Sequence, residues 1–314
     1  MKAIAFALVL SAGFTLNAAQ RLTVQRTTNA VNIRTPSGKE ILQYQLRRPT
    51  DTKLSVESAC YFHPVSTPSG VVVTEVGPSD HPHHRGIFLA WVEMHGKQDS
   101  DFWGWGEHAP KANRKIVNRD VSQPVSTSAG GGFQALNEWM AESDVVISEQ
   151  LRATARAEGS ANIIDLAYSL TSKDDLTLSR WAFSGFCVRV RKDGKIQAEG
   201  PEGAVSLPNP KHTEPASDWP AAAWYGYTIA LEDGKTVGAA VIDHPQNPPS
   251  LWHNHRDVRM LNPCIVAPAA VTMKAGVPLT LRYRVVVHDG PTPRELLNKL
   301  AKEWATGAGE QVGN

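Results

Sequence analysis

The sequence predicts an all-β fold, a large antiparallel β-sandwich with one short C-terminal helix. Short alternating or β-rich runs recur along the 314 residues. Gly, Pro, Asn and Asp turn signals separate these runs, as in "TPSG", "RKDGK" and "LEDGK". With 41% hydrophobic residues, the chain can bury a substantial core, as one large β domain or two smaller ones. We expect a single domain over residues 20–314.

The predicted strands follow one another along the whole chain. In order, they are RLTVQ, VVVTEV, GIFLAWVEM, DVVISEQLRATA, NIIDLAYSL, YGYTIAL, TVGAAVI and PLTLRYRVVVH. A helix is predicted at about 293–305. Thr292 can cap it, Pro293 suits its first position, and Glu295 completes a capping box. Its apolar residues form one face that we expect to pack against the sheet: Leu296, Leu297, Leu300 and Trp304.

Residues 1–19, MKAIAFALVLSAGFTLNAA, have the pattern of a secretory signal peptide. Lys2 supplies the positive start and Ala3–Leu10 the apolar stretch. Ala18 and Ala19 are the small residues of a cleavage site. The apolar stretch is much shorter than the roughly 20 residues that span a bilayer, and no later segment is long enough. We therefore expect cleavage near Ala19, export to the periplasm or beyond it, and no membrane span in the mature chain.

Charge and cysteine content exclude two classes of protein. Removing Lys2 with the leader leaves 31 basic against 31 acidic side chains, which is unlike the basic footprint of a nucleic-acid binder. The scattered cysteines Cys60, Cys187 and Cys264 exclude a disulfide-framework scaffold. They form either one bridge or buried thiols.

The segment "PSDHPHHRG" concentrates imidazoles ahead of an apolar run. Pro82 disfavours helical geometry for His81, so we expect an extended segment with His81 and His83 on one side and His84 on the other. Two imidazoles at that spacing suit acid–base chemistry or a divalent metal such as zinc, copper, iron or calcium. The alternative is a set of structural histidines in a turn. Arg85 suits bidentate contact with a carboxylate, on a substrate or on a structural Asp.

A second H-x-H pair occurs in "NPPSLWHNHRDVRM", about 170 residues later. His253 and His255 are flanked by Trp252 and Arg256. The two pairs can build one composite site, in which His81, His83 and His253 are the candidate metal ligands, or they can divide between metal binding and acid–base work.

Between these pairs, the excursion from Glu199 to Pro220 is rich in Pro, Gly, Ser and Ala. It is either a substrate-covering loop or a surface loop without function. Its polar and aromatic side chains include Lys211, His212, Glu214, Asp218 and Trp219.

The segment "DSDFWGWGEHAP" places Asp101, Trp103, Trp105 and Glu107 in a loop broken by glycines. Indole faces beside carboxylates are typical of a sugar-binding cleft. The alternative is that the aromatic residues belong to the core.

A third polar segment, "IDHPQNPP", contains Asp243, His244 and Asn247 where a turn is expected. An Asp–His pair can tune an imidazole for proton transfer. The alternative is a capped turn without chemistry.

Five segments together resemble a known bacterial family: "FHPVSTPSGVVVTEVGPSDHPHHRGIFLAW", "DFWGW", "DHPQNPPSLWHNH", "MLNPCIV" and "LRYRVVVHDG". The family is named PmoA-like and is also described as domain of unknown function DUF6807. The resemblance runs from about Tyr61 to Gly290. The methane monooxygenase subunit with the same label is a multi-span membrane protein, and this chain offers no such spans, so we reject methane oxidation.

The resemblance implies a secreted protein linked with polysaccharide breakdown, built on a galactose-mutarotase-like β-sandwich. Position by position, it implies site roles for His81, His83, His84, Asp101, Trp103, Asp243, His244, Asn247, Trp252 and His253. The chain departs from the W-H-V-R pattern of some relatives at Asn254 and His255, which puts the role of His255 in doubt.

The leading functional expectation is an exported carbohydrate-active enzyme. It acts on a glycoside, oligosaccharide or modified sugar by elimination, hydrolysis or anomeric proton transfer. The candidate catalytic residues are His81, His83, His84, His253 and Asp101. The candidate substrate contacts are Arg85, Trp103, Trp105, Glu107, Asn247, Trp252, His255 and Arg256.

Two alternatives remain open. One is a non-catalytic glycan-binding sandwich that uses Trp103, Trp105 and Trp252 as stacking platforms. The other is a secreted copper-dependent oxidase. The N-terminal histidine that a copper brace needs is absent if cleavage near Ala19 leaves Gln20 first.

Overall fold

Two large antiparallel sheets form the body of the protein in the computed structural model, which describes residues 21–122, 124–127 and 130–306. The predicted leader, residues 1–19, lies outside the described residues. Every pairing between the described strands is antiparallel. The predicted all-β class is therefore confirmed.

The first half of the chain contributes the strands β1 Thr23–Arg26, β2 Ala30–Arg34, β3 Glu40–Gln45, β4 Phe62–Val65, β5 Ile87–Ala90, β6 Met94–His95, β7 Arg114–Val121, β8 Val125–Thr127, β9 Gly130–Ala141, β10 Asp144–Glu158 and β11 Ala161–Ser172. The second half contributes β12 Leu176–Leu178, β13 Gly185–Arg189, β14 Lys195–Gly200, β15 Gly203–Ala204, β16 Trp224–Ala230, β17 Thr236–Asp243, β18 Leu251–Trp252, β19 Met260–Leu261, β20 Pro263–Cys264, β21 Val271–Met273 and β22 Leu279–Asp289. A 3₁₀ turn spans Pro215–Ser217, and the helix α1 spans Arg294–Ala305.

The strands divide into two large and two small sheets. The ten-stranded sheet has the order β15-β14-β16-β17-β22-β11-β10-β9-β7, with β8 beside β9. The seven-stranded sheet has the order β1-β2-β3-β4-β5-β13-β19. Strands β21-β12-β6 form a third sheet, and β18 pairs with β20 alone. The short β18–β20 pair carries Trp252, so it fixes the start of the second H-x-H segment.

The two large sheets pack face to face, which makes the β-sandwich. Tyr44 of the seven-stranded sheet contacts Phe133 of the ten-stranded sheet, with ring centroids 5.3 Å apart. Phe186 stacks on Tyr283 at 4.0 Å in the same way. Asn137 Nδ2 donates to the Tyr44 hydroxyl at 2.8 Å across the interface. Aromatic rings therefore fill part of the space between the sheets, and buried side-chain hydrogen bonds cross it.

Helix α1 covers the outer face of the ten-stranded sheet, as the apolar spacing predicts. Leu297, Leu300 and Trp304 are buried on it. The predicted cap is wrong, because Pro293 precedes the helix without a side-chain cap hydrogen bond. The hydroxyl of Thr292 is instead 2.5 Å from that of Thr228 on β16. The side chain that would cap the helix, Thr292, therefore hydrogen-bonds to Thr228 on the sheet.

One predicted strand does not form. The run VVVTEV, residues 71–76, makes only isolated bridges, including Thr74 with Val190 and Val76 with Arg85. Its amides bond to carbonyls on separate elements, Val73 to Val65 and Glu75 to Arg189, so no continuous ladder extends along it.

No disulfide joins the three cysteines, which all lie among the described residues. Cys60, Cys187 and Cys264 are free thiols. Cys187 and Cys264 are buried, as the buried-thiol alternative expects, whereas Cys60 is partly exposed. The described residues contain no helix with the length and hydrophobicity of a membrane span.

Candidate functional site

The first H-x-H segment forms a tight turn. The amide of His84 donates to the carbonyl of His81 at 2.9 Å, so the expected extended segment is wrong. Pro82 has the fixed φ that favours the second position of such a turn. The ring of His84 stacks on His81 at 4.9 Å and meets His83 edge-on at 4.7 Å. His84 therefore joins the cluster instead of pointing away from it.

A buried arginine holds this turn from below. The fully buried Arg189 places Nη1 3.3 Å from Nδ1 of His84. It also donates to Glu75 at 3.3 Å and to Asp80 at 3.1 Å. Oδ2 of Asp80 lies 3.3 Å from Nδ1 of His81. One guanidinium thus links two of the clustered imidazoles.

Arg85 does not take the role that its sequence position suggested. It is fully buried and donates to the carbonyls of Phe102 at 3.0 Å and His83 at 3.1 Å. Its guanidinium lies over the ring of Phe88, 4.4 Å from the centroid. Among the described residues it forms no ion pair with a carboxylate, so it positions backbone beneath the pocket and does not reach into it.

Asp101 organises the aromatic loop. Its two carboxylate oxygens accept from the amides of Gly104 at 2.7 Å and Gly106 at 2.5 Å. Burial raises the pKa of Asp101 to about 6. Because both oxygens are occupied by amides, the side chain shapes the loop and does not present a free acid.

The two loop tryptophans differ in exposure. Trp103 is fully buried, and its ring meets that of His84 edge-on with centroids 5.6 Å apart. Trp105 is partly exposed, and its indole nitrogen donates to the exposed Glu107 at 2.7 Å. Glu107 therefore fixes the orientation of the only one of these two indoles that a ligand can reach.

A second histidine group forms around the excursion at 199–220. Trp219 and Trp252 exchange backbone hydrogen bonds of 2.9 Å in both directions, which brings the excursion beside the second H-x-H segment. Asp218 Oδ1 then lies 2.6 Å from His253 Nδ1, with both side chains fully buried. His253 Nε2 lies 3.0 Å from His212 Nδ1. The result is a continuous chain from carboxylate to imidazole to imidazole.

His255 extends this second group. Its ring stacks on His212 with centroids 5.2 Å apart and an interplanar angle of 15°. Its Nδ1 accepts from the amide of Val258 at 3.3 Å. The carry-over from relatives left its role open, and the structure places it as a stacking partner of His212.

The two histidine groups meet at a small pocket, where the empty space of about 190 Å³ includes open solvent. The ring of His81 is 6.3 Å from that of His212. Trp105 lies 6.1 Å from His83 on one side and 6.1 Å from His212 on the other. The pocket is lined by His81, His83, His84, Trp103, Trp105, Phe183, His212, Val258 and Met260. The first H-x-H segment and His212 therefore line the pocket, whereas His253 and His255 contact the ring of His212 and are not part of the lining.

Burial keeps the imidazoles uncharged at neutral pH. Desolvation lowers the pKa of His83 to about 3, of His253 to about 3, and of His212 and His255 to about 4. The pKa of His84 falls well below its usual value, first through burial and then through His83 and Arg189. Burial acts in the opposite direction on Asp218 and raises its pKa to about 8.

The geometry does not assemble the candidate metal set. Among the described residues, no group of three or more His, Cys, Asp or Glu side chains is arranged to hold a metal ion. Both ring nitrogens of His253 already have hydrogen-bond partners. His81 and His83 line the pocket, whereas His253 does not.

Three predicted contact residues serve the structure elsewhere. Asn247 donates to Asp243 at 2.6 Å and pairs with the backbone of Arg282 in a turn that is not part of the pocket lining. Trp252 is fully buried and packs on Tyr225 at 5.1 Å. Arg256 bonds to the backbone of Leu207 and to the side chain of Asn209, so it ties the excursion to the second segment.

The sequence-based set of site residues did not include His212 and Asp218. Both lie in the excursion for which the sequence indicates either a substrate-covering loop or a surface loop, and this is the signal that the sequence offers for them. Their partner His253 follows 41 and 35 positions later. No spacing rule relates residues across that distance.

Comparison with known proteins identifies a family but no activity. Among solved structures, an α-galactosidase from Lactobacillus brevis is 9% identical with a TM-score of 0.42, over 90% of this chain and 41% of that chain. A GH36 α-galactosidase from Geobacillus stearothermophilus is 9% identical with a TM-score of 0.41, over 86% of this chain and 40% of that chain. A polysaccharide lyase is 9% identical with a TM-score of 0.34, over 86% of this chain and 32% of that chain. Similarities this distant support no inference about chemistry.

None of the curated proteins compared with the chain matches it, so no named relative supports the PmoA-like label. The model of a family of unknown function, DUF6807, matches residues 33–302. The match covers most of the chain and includes both histidine groups. The chain therefore belongs to the DUF6807 family.

Proposed function

We propose that this protein is an exported carbohydrate-active enzyme that transfers protons by general acid–base catalysis in the histidine pocket. The observation that carries the proposal is the chain formed by Asp218, His253 and His212, with contacts of 2.6 Å and 3.0 Å. A base oriented by a second group, which is oriented in turn by a buried carboxylate, is a recurring arrangement in proton transfer.

This carboxylate–imidazole chain can accept a proton from the substrate or return one to it without leaving either imidazole charged. When Asp218 is ionised, His253 donates from Nδ1 and accepts at Nε2 from His212. His212 then has a lone pair at its other nitrogen, Nε2, and acts as a base. When His212 accepts a proton there, each hydrogen bond reverses and the proton ends on Asp218. The raised pKa of Asp218, beside imidazoles with lowered pKa values, favours the carboxylate as the final acceptor.

The pocket chemistry favours an uncharged, hydroxyl-rich substrate. Its lining consists of imidazoles, aromatic rings, Val258 and Met260, and burial keeps the imidazoles neutral at pH 7. Trp105 offers a partly exposed ring for the apolar face of a sugar, and imidazole nitrogens can pair with its hydroxyl groups.

A purely glycan-binding role is less well supported. It needs several exposed aromatic platforms, whereas Trp103 and Trp252 are fully buried. Trp105 alone of the three proposed platforms is partly exposed. A buried carboxylate–imidazole chain also has no part in stacking.

The test uses the purified full-length protein in D₂O with uncharged mono- and oligosaccharides. NMR and mass spectrometry score deuterium incorporation, anomer exchange and bond cleavage. We expect at least one sugar to react, and His212→Gln to slow that reaction about 10²- to 10⁴-fold, the usual contribution of a positioned base. The control is His95→Gln, which changes an exposed histidine paired with Glu93. Binding without reaction, or full activity of His212→Gln, would contradict the proposal.

A further inference from the structure

We infer that His84, held by Arg189, donates a hydrogen bond to a carbonyl oxygen of the substrate, and that the substrate is a sugar that carries a carbonyl group. This inference rests on the proposed function. It assigns a second lining residue of the same pocket and narrows the substrate class.

The contact with Arg189 fixes which nitrogen of His84 carries the proton. Nη1 of Arg189 lies 3.3 Å from Nδ1 of His84. A guanidinium has donors and no acceptor, so Nδ1 must offer its lone pair. A neutral imidazole has one proton, which therefore sits on Nε2. His84 is a pocket-lining residue whose free nitrogen is a donor.

The surroundings of His84 keep it neutral. Arg189 faces it from β13, and the fully buried Arg85 follows it in the chain. His81 stacks on it, and His83 meets it edge-on. Burial and the two nearby cations oppose protonation of His84. His84 can thus polarise an oxygen without becoming an acid that loses its proton.

Arg189 is itself locked in place. Glu75 and Asp80 accept from it at 3.3 Å and 3.1 Å, which offsets the cost of burying its charge. Lys192 approaches Asp80 from the outer side at 3.2 Å. The guanidinium therefore cannot turn away from His84 without leaving two carboxylates unpaired.

The two walls of the pocket have complementary polarity. His212 presents a lone pair when Asp218 is ionised, and His84 presents an N–H. A base and a neutral hydrogen-bond donor in one pocket suit proton abstraction from the carbon next to a carbonyl. His212 takes the proton, the C–H electron pair becomes the C=C bond, and the C=O π pair moves to the oxygen that His84 faces. Return of the proton to carbon completes the exchange, with no net oxidation.

The first test measures the tautomer of His84 directly, with ¹⁵N-labelled histidine in the full-length protein. We expect proton-bearing Nε2 and unprotonated Nδ1 at pH 7, and His84→Gln identifies the signals by removing them. A proton on Nδ1 would overturn the inference. This measurement needs no variant of the buried arginine. Arg189→Met is expected to shift the population toward the other tautomer, and Arg189→Lys to preserve it.

The second test compares sugars with and without a carbonyl in D₂O. One set contains ketoses, aldoses and oxidised sugars, with D-erythrulose as an open-chain member. The other contains erythritol, trehalose and methyl glucosides. We expect deuterium only beside the carbonyl carbon in the first set, slowed at least 10-fold by His84→Gln. Reaction confined to the second set, or unaffected by His84→Gln, overturns this inference and leaves the proposed function standing. No reaction in either set overturns both.

Discussion

Asp218 and His253 lie 35 positions apart in the chain, and their side chains meet fully buried at 2.6 Å. The backbone pair between Trp219 and Trp252 sets this meeting, because each tryptophan is the chain neighbour of one partner. The contact places His212 at the pocket with its Nδ1 already occupied.

The rate of proton abstraction should rise with pH up to about 8. His212 acts as a base only while Asp218 is ionised, and burial raises the pKa of Asp218 to about 8. Below that pH the ionised fraction falls about tenfold per unit. Two titratable groups face Asp218: His253 is its hydrogen-bond partner, and Cys264 interacts with it electrostatically. Deuteration rates from pH 6 to 9 measure the effect. A rate that stays constant between pH 6 and 8 would be inconsistent with this role.

His83 should make the fold sensitive to acid. Burial lowers its folded-state pKa to about 3, whereas the unfolded chain binds a proton near pH 6.5. Stability from this group is therefore present above pH 6.5 and is lost as pH falls from there toward 3. By linkage the loss between pH 7 and pH 5 is about 2 kcal/mol.

Urea unfolding of the wild type and of His83→Gln at pH 7 and pH 5 tests this. The variant should lose about 2 kcal/mol less than the wild type over that interval. His95→Gln is the matched control. Asp99 and Glu93 raise the pKa of His95, so any change it causes has the opposite sign. Equal losses in wild type and His83→Gln would rule out a neutral buried His83.

The sequence predicts elements whose determinants are local. Strand β11 and helix α1 match their hydrophobic patterns, because period and burial are encoded within each segment. The turn at His84 was misjudged because the restriction that Pro82 imposes is compatible with both extended chain and a turn. The sequence assigns no role to Asp218 within the excursion, because that role depends on a contact with His253 that only the folded protein creates.

Replacing Trp105 should affect substrate binding, whereas replacing Trp252 should affect stability. Trp105 is partly exposed at the pocket, so Trp105→Ala should raise KM at least tenfold with little effect on Tm. Trp252 is fully buried, so Trp252→Ala should cost about 3–5 kcal/mol of stability. Steady-state kinetics and thermal unfolding of both variants make the comparison. Unchanged KM in Trp105→Ala would remove this indole from the substrate site.

Gly104 should be intolerant of a side chain because the loop closes on His83. Its φ is +109°, and an added Cβ would overlap Val56 and lie 2.7 Å from Cβ of His83. We expect Gly104→Ala to cost about 1–3 kcal/mol and to lower activity by displacing His83. Gly234→Ala is the control, since Gly234 has φ +81° with open space around it. Equal effects of the two substitutions on activity would contradict a role for this close approach.

The most direct test of the carboxylate–imidazole chain is deuterium exchange by Asp218→Asn at pH 8, with the sugar that the wild type turns over. The amide keeps the size of the side chain but cannot take up the proton. Glu214→Gln is the control, because Glu214 lies in the same excursion with an exposed side chain paired with Lys211. We predict a fall of about 10²- to 10⁴-fold in kcat for Asp218→Asn and full activity in the control. The Tm of Asp218→Asn should be no lower than that of the wild type, because the raised pKa of Asp218 means that its ionised form destabilises the fold at pH 8. Wild-type kcat in a folded Asp218→Asn protein would contradict the account.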